Sequence, residues 1–335
     1  MIRRTALCAL ALALTTALAA CGEKREPTGP AKAEKLSLLL DFYPNADHAG
    51  IYMAQSTGEF AKAGLDVKIE EPTDPATTLK LLAARKVDLV VSYEPEVLLA
   101  RAEGQDLVSI GAIIQRPLTS IIGLDGNPKS AADLEGHTIG TAGIPYQSAY
   151  LKTILKSAGA DPSDVKEINV GFNFIPALLS KKVYATLGAF WNVEGVELDR
   201  RKKSPKIIPV DQAGVPTYDE LVIVARREDV GHRGALLRRF MQAVSRGTKA
   251  VQNNPAAGVT ALLKANPDLD EASQKAALDK TMPAFFPSEE GKPFGWQNPE
   301  EWAAYTKWME ANDLLKRPLD PGRALTNEFL PGEGV

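Results

Sequence analysis

The segment Leu36–Ala54, LSLLLDFYPNADHAGIYMA, constrains this chain more than any other. Leu36 to Leu40 is a short run broken only by Ser37, which fits a strand buried on both faces in a parallel sheet covered by helices. It ends in a polar and aromatic turn, Asp41-Phe42-Tyr43-Pro44-Asn45. Asp47 stands where it can cap a helix beginning near His48, and Gly50 lets another group approach the backbone closely. Strand, polar turn and helix N-terminus make the kind of corner at which open α/β sheets hold ligands. Phe42 and Tyr43 fit a packing role equally well.

The same grammar recurs downstream. Val67–Glu70 reads as a strand, and Asp74-Pro75 opens a helix. Val87–Val91 is a strand running into Ser92-Tyr93-Glu94-Pro95-Glu96, and Leu107–Ile114 is another. The turn formers Asp125-Gly126-Asn127-Pro128 mark a first crossing between lobes, and Tyr218–Ala225 brings the chain back. From Gly234 the texture is helical, with Leu236, Leu237, Phe240, Met241, Val244 and Val251 on one face. A last helix, Pro299–Asn312, carries Trp302, Tyr305, Trp308 and Met309, a stripe that suits packing better than ligand contact.

Thr77–Glu96 and Asn173–Asn192 align at an offset of 96 residues. Each has a short helix, a Lys-Val pair (Lys86-Val87, Lys182-Val183), a strand, and a cluster of aromatic and acid or amide residues opening a helix. Two similar α/β lobes explain this most simply; chance recurrence of a common helix–strand pattern is the alternative. The expected fold class is therefore α/β, each lobe a mixed sheet flanked by helices. Residues 36–124 and 220–335 form one lobe with the C-terminal helices, and 125–219 form the other.

The N-terminus is a different material. Arg3 and Arg4 precede an apolar run from Ala6 to Ala20, too short for a comfortable span but right for a signal peptide over residues 1–20. It ends Leu18-Ala19-Ala20-Cys21-Gly22, which resembles the bacterial lipobox, in which Cys21 would carry lipid and begin the mature chain. An ordinary secretory cleavage with Cys21 incidental is the other reading. Residues 21–35 then form a tether, stiffened by Pro27 and Pro30. The expected location is the cell envelope, lipid-anchored to a bacterial membrane and facing the periplasm or exterior.

The composition narrows the chemistry. A net charge of −3 with no long basic run argues against a nucleic-acid partner. Three histidines (His48, His137, His232), with Cys8 in the leader and Cys21 at its end, leave no ligand set for zinc or a redox metal. No nucleophile elbow, dinucleotide fingerprint or P-loop is present. Neither a metal nor a cofactor is expected, and no catalytic residue is assigned.

Binding groups, by contrast, collect at the strand ends: Asp41, Phe42, Asn45, His48, Tyr93, Glu94, Tyr146, Trp191, Asn192, Glu194, Tyr218 and Glu220. Flat apolar faces beside carboxylates and amides suit a heteroaromatic ligand with ring nitrogens and amino groups. Acids with almost no base point to a neutral or cationic ligand. Phe42, Tyr93, Tyr146 and Trp191 would stack; the polar residues would read the ring edge.

These residues resemble a known family. Asp41-Phe42-Tyr43-Pro44-Asn45-Ala46-Asp47-His48-Ala49-Gly50-Ile51-Tyr52 is similar to the opening motif of ABC-importer solute-binding proteins in the branch that also holds thiamine-pyrimidine precursor synthases. Gly64-Leu65-Asp66-Val67, Gly171-Phe172-Asn173, Phe190-Trp191-Asn192-Val193-Glu194-Gly195 and Gly214-Val215-Pro216-Thr217-Tyr218-Asp219-Glu220-Leu221-Val222 also match, so the likeness spans roughly 36–265. It implies a two-lobed periplasmic-binding fold (type II-like) closing on its ligand, ABC permease subunits as partners, and a monomer. It also implies an aminopyrimidine thiamine precursor such as N-formyl-4-amino-5-aminomethyl-2-methylpyrimidine. Riboflavin or another flat heteroaromatic is the alternative ligand, and a pyrimidine-processing enzyme the alternative class. The chain departs from the pattern in having Phe42 where the family usually has Trp, and in lacking the cysteine-rich segment of the eukaryotic synthases.

Overall fold

A computed structural model describes residues 33–332. The expected leader, Cys21 and most of the tether lie outside the described residues.

The strands are β1 (Glu34–Leu39), β2 (Leu65–Glu70), β3 (Leu89–Ser92), β4 (Leu107–Ile114), β5 (Thr119–Gly123), β6 (Thr138–Thr141), β7 (Lys166–Asn169), β8 (Ala185–Phe190), β9 (Lys206–Pro209) and β10 (Leu221–Arg226). They form two five-stranded sheets, ordered β2-β1-β3-β10-β4 and β7-β6-β8-β5-β9. In each, three strands run parallel (β2, β1, β3 and β7, β6, β8). In each, an antiparallel strand, β10 or β5, sits between the parallel set and the edge. The expected fold class is present: two mixed sheets, each flanked by helices, followed by a helical C-terminal region.

The first strand shows why the sequence folds this way. Leu36, Leu38, Leu39 and Leu40 are all buried. The one polar residue among them, Ser37, is satisfied by Asp88 just before β3. Asp88 Oδ2 accepts the Ser37 N–H at 2.9 Å, and the Asp88 N–H donates to Ser37 Oγ at 2.9 Å. Burying a hydroxyl inside the sheet costs little once it is paired this way.

The 96-residue echo corresponds to equivalent pieces of the two sheets. Helix Thr78–Ala83, β3 and helix Glu94–Ala102 match helix Phe174–Leu179, β8 and helix Glu194–Arg200. Even the backbone repeats: Arg85 and Lys181, at the same offset, both hold left-handed φ values of 58° and 59°.

The chain passes from the first sheet to the second between β4 and β5, at residues 115–118, and returns between β9 and β10. β5, assigned from sequence to the first lobe, pairs with β8 and β9 in the second sheet. The turn formers at Asp125–Pro128 follow β5 and reverse the chain inside that lobe. The crossing itself, Gln115-Arg116-Pro117-Leu118, carries little turn signal.

Helix Gly234–Asn253 packs on helix Ala49–Ser56 through glycines. A Cβ on Gly50 would lie 3.0 Å from Thr248 Cβ and closer still to its hydroxyl, so the close approach expected at Gly50 is present. The last helix runs Pro299–Ala311 and buries Trp302, Tyr305 and Met309, as a packing stripe should. It also joins the two halves. Trp302 Nε1 donates to Asp219 Oδ2 at 2.8 Å, and the Tyr305 hydroxyl meets that of Tyr150, in helix Pro145–Ser157.

Candidate ligand-binding site

The carboxyl ends of β1, β3, β6 and β8 converge on one cavity. Phe42, Asn45 and Tyr93 wall it from the first sheet; Ala142, Ile144, Tyr146, Gln147, Phe174, Gly188, Phe190 and Glu194 wall it from the second. The space open to water centres is about 10 Å³, room for about one water, so the two walls are nearly in contact. A ring-sized guest enters only when the lobes part or the aromatic side chains swing aside.

The aromatic side chains interlock across the gap. The Phe42 ring lies 4.5 Å from that of Phe172 and 6.2 Å, nearly parallel, from that of Phe174. Tyr93 meets Tyr146 at 5.9 Å and Phe190 at 6.5 Å, both edge-on.

Behind this wall is a hydrogen-bonded chain. Tyr93 donates its hydroxyl to Asp41 Oδ2 at 2.8 Å, while Asp41 Oδ1 lies 2.9 Å from His48 Nε2. The Asn45 N–H donates to His48 Nδ1 at 3.2 Å, which makes Nδ1 the acceptor and puts the ring proton on Nε2, toward Asp41. Asn45 caps the short helical turn Ala46–His48 by accepting the Asp47 N–H at 2.9 Å; the cap expected from Asp47 comes from Asn45 instead. Asp47 is thereby free to face the other lobe.

Two polar contacts cross between the walls. Tyr43 donates its hydroxyl to Glu194 Oε1 at 2.9 Å. Asn192 Nδ2 donates to Asp47 Oδ1 at 2.6 Å and lies 2.5 Å from the Thr281 hydroxyl. Glu194 also accepts the Phe190 N–H at 2.8 Å. Burial outweighs these donors and lifts the Glu194 carboxyl to about 7, with Asp47 adding to the rise. Burial likewise lifts Asp47 to about 6, partly offset by His48 and Thr281.

The twelve expected site residues separate into groups. Phe42, Asn45, Tyr93, Tyr146 and Glu194 line the cavity. Asp41 and His48 stand behind Tyr93 and hold it. Asn192 joins the lobes. Glu94, Tyr218 and Glu220 lie buried at the crossings, where Glu94 accepts the Asp219 N–H at 2.8 Å and Tyr218 donates to Glu220 at 3.1 Å. Trp191, expected to stack on ligand, is outside the lining; its Nε1 donates to the Pro117 carbonyl at 3.1 Å, beside the first crossing. A strand-end position placed it near the cavity, but its indole turns toward the connection.

Ala142, Ile144, Gln147, Phe174, Gly188 and Phe190 complete the cavity and were not assigned from sequence. Phe190 directly precedes Trp191, so the right cluster was found and its neighbouring ring chosen. Nothing in the local pattern distinguishes Phe174 from a core residue.

Comparison with known proteins places this geometry. Residues 45–258 match the family model described as NMT1/THI5 like. The formylaminopyrimidine-binding protein of Halalkalibacterium halodurans is 34% identical over 85% of this chain and 88% of its own. A 4-amino-5-hydroxymethyl-2-methylpyrimidine phosphate synthase of Legionella pneumophila is 25% identical over 89% of this chain and 92% of its own. Among solved structures, the periplasmic aliphatic sulphonate binding protein SsuA of Escherichia coli superposes with a TM-score of 0.68 at 18% identity, over 90% of this chain and 99% of that one. The extent of the family match and the identity to the formylaminopyrimidine-binding protein agree: the chain belongs to the NMT1/THI5-like family.

Proposed function

We propose that this protein is the solute-binding component of an ABC importer and captures a small aminopyrimidine of the N-formyl-4-amino-5-aminomethyl-2-methylpyrimidine type. The observation that carries the reading is the cavity: aromatic on both walls, with Glu194 as its only carboxylate and no lysine or arginine in the lining among the described residues. Phe42, Phe174 and Phe190 supply flat faces, and Glu194 accepts from an amino group. The relative named for formylaminopyrimidine binding supports the ligand class.

Binding supports closure in a definite way. A ligand seated between Phe42 and Glu194 touches both lobes and adds to the Tyr43–Glu194 and Asn192–Asp47 contacts that already span them. Its binding energy then favours the closed form, the form a permease would recognise.

The relatives named as synthases raise an enzymatic reading. We favour binding because, among the described residues, the lining offers no serine, cysteine or lysine, and because His48 is held behind Tyr93 by two hydrogen bonds. The lipobox-like Leu18–Gly22 supports an anchor at Cys21 on the outer side of a bacterial membrane, with the lobes working as a monomer at the end of a tether.

Calorimetric titration of the protein lacking residues 1–20 with the formylaminopyrimidine tests the proposal. Saturable heat and a ligand-dependent rise in melting temperature are expected. No heat and no shift overturn the ligand assignment, and conversion of the compound, seen by mass spectrometry, overturns the binding role.

A further inference from the structure

Gln147 is buried, and its amide is held in one orientation. Its Oε1 accepts the Ala142 N–H at 2.8 Å, and only the oxygen can accept, so Nε2 must point the other way. There it lies against Gly188, where a Cβ would sit 2.9 Å from Gln147 Cδ and closer still to Nε2. Gly188 has φ 116°, a conformation other residues rarely take, so the backbone and the missing side chain together make room for the amide. Both Gln147 and Gly188 line the cavity.

Nε2 donates to no protein acceptor among the described residues, nor is it one of their water-shielded unpaired atoms. The neighbouring polar groups are spent otherwise: the Tyr93 proton goes to Asp41, and Asn45 gives one N–H to the Tyr43 carbonyl and its oxygen to Asp47. An amide N–H pair with no protein partner that faces a cavity needs an acceptor there, a water in the empty cleft or a ligand atom in the filled one.

We propose that Gln147 Nε2 forms a second recognition point in the cleft, donating to an acceptor on the ligand while Glu194 accepts from the ligand's amino group. This deepens the function proposed above and rests on it. The pair selects a flat molecule that carries a donor on one edge and an acceptor on another. A ring nitrogen and a formyl oxygen are both acceptors of the required kind. Gly188 acts as a positioning residue, since a side chain there would displace the amide.

The test is calorimetric titration of wild type, Gln147→Met and Gln147→Glu with two probes, 4-amino-5-aminomethyl-2-methylpyrimidine and its N-formyl derivative. Gln147→Glu keeps an acceptor for the Ala142 N–H but loses the donor; it guards against a Gln147→Met protein that fails to fold, as judged by ligand-free melting. Loss of a donor to a buried acceptor weakens binding about 10-fold to 100-fold. Loss with both probes supports Gln147 and assigns the ring nitrogen; loss with the formyl compound alone supports it and assigns the formyl oxygen. Wild-type affinity in folded variants overturns the inference and leaves the proposed function standing. A wild-type protein that binds neither probe overturns both.

Discussion

Glu220, at the end of the second crossing, reaches back to the first: its Oε2 accepts the Thr119 N–H at 2.7 Å. The same carboxylate accepts the Leu118 N–H at 2.5 Å and the Thr119 hydroxyl at 2.8 Å. One side chain therefore ties together the two connections about which the lobes must turn. Burial outweighs all these donors and raises the carboxyl to about 7.

Glu220→Ala should lower stability by about 2–3 kcal/mol, because it strands buried N–H groups at the connection. Tyr218→Phe, which removes only one donor to that carboxylate, should cost about 1 kcal/mol. Thermal melting checks both, and an unchanged Glu220→Ala melt would remove Glu220 from the hinge.

Tyr43→Phe deletes the hydroxyl that crosses to Glu194 without changing ring packing. An ordinary hydrogen bond contributes about 1 kcal/mol, so affinity should fall about fivefold, chiefly through faster release. Stopped-flow dissociation reads this directly; an unaltered off-rate would mean that the contact does not hold the closed form.

Stability should fall as pH rises from about 5 to about 7 and then level off. Glu96, whose carboxylate accepts the Ser92 hydroxyl at 2.5 Å, is raised by burial from 4.5 to about 7. Asp219, Glu194 and Glu220 are raised to similar values. A raised carboxyl keeps its proton in the folded chain where the unfolded chain has lost it, so the folded state binds more protons in that window. Each such group contributes at most about 3–4 kcal/mol. Melting temperature against pH should show the slope, and Glu96→Gln should flatten it; a rise across this range would contradict the burial argument.

Gly247→Ala should destabilise by about 1–3 kcal/mol, since a Cβ there would lie 2.7 Å from the Ala54 nitrogen and closer still to the Gly50 carbonyl. Gly231→Ala, in helix Arg227–His232 with nothing within 4 Å of the added carbon, should be neutral or mildly stabilising. Equal effects in thermal melts would show that the two helices tolerate separation.

Trp191→Phe should cost about 1 kcal/mol of stability through its lost bond to the Pro117 carbonyl while leaving ligand affinity nearly unchanged. Calorimetry paired with melting separates the two effects. A large affinity loss would return Trp191 to the site.

Much of this was legible because local patterns carried it. The apolar run at Leu36–Leu40, the polar turn after it, and the recurrence from Thr77 to Asn192 each encode a strand end in short-range sequence. The tryptophan stripe at Trp302 and Tyr305 declared its burial through helical spacing. Orientation was not legible. Phe190 and Trp191 are adjacent, yet their side chains leave the chain in different directions, and only tertiary packing selects which faces the cavity. Gln147 was invisible for a different reason: its importance depends on Gly188, 41 residues away in sequence, being small enough to admit it.

The position of β10 has a consequence for how the chain assembles. β10 lies between β3 and the edge strand β4, so β4 has no place in the first sheet until residue 226 is available. The second sheet, by contrast, is built from one uninterrupted stretch, β5 to β9. During vectorial synthesis or export the later half can therefore mature first, while the N-terminal half waits as an open scaffold with β4 detached. The final strand to arrive completes the sheet that began the chain, and in doing so brings Glu220 back to Thr119.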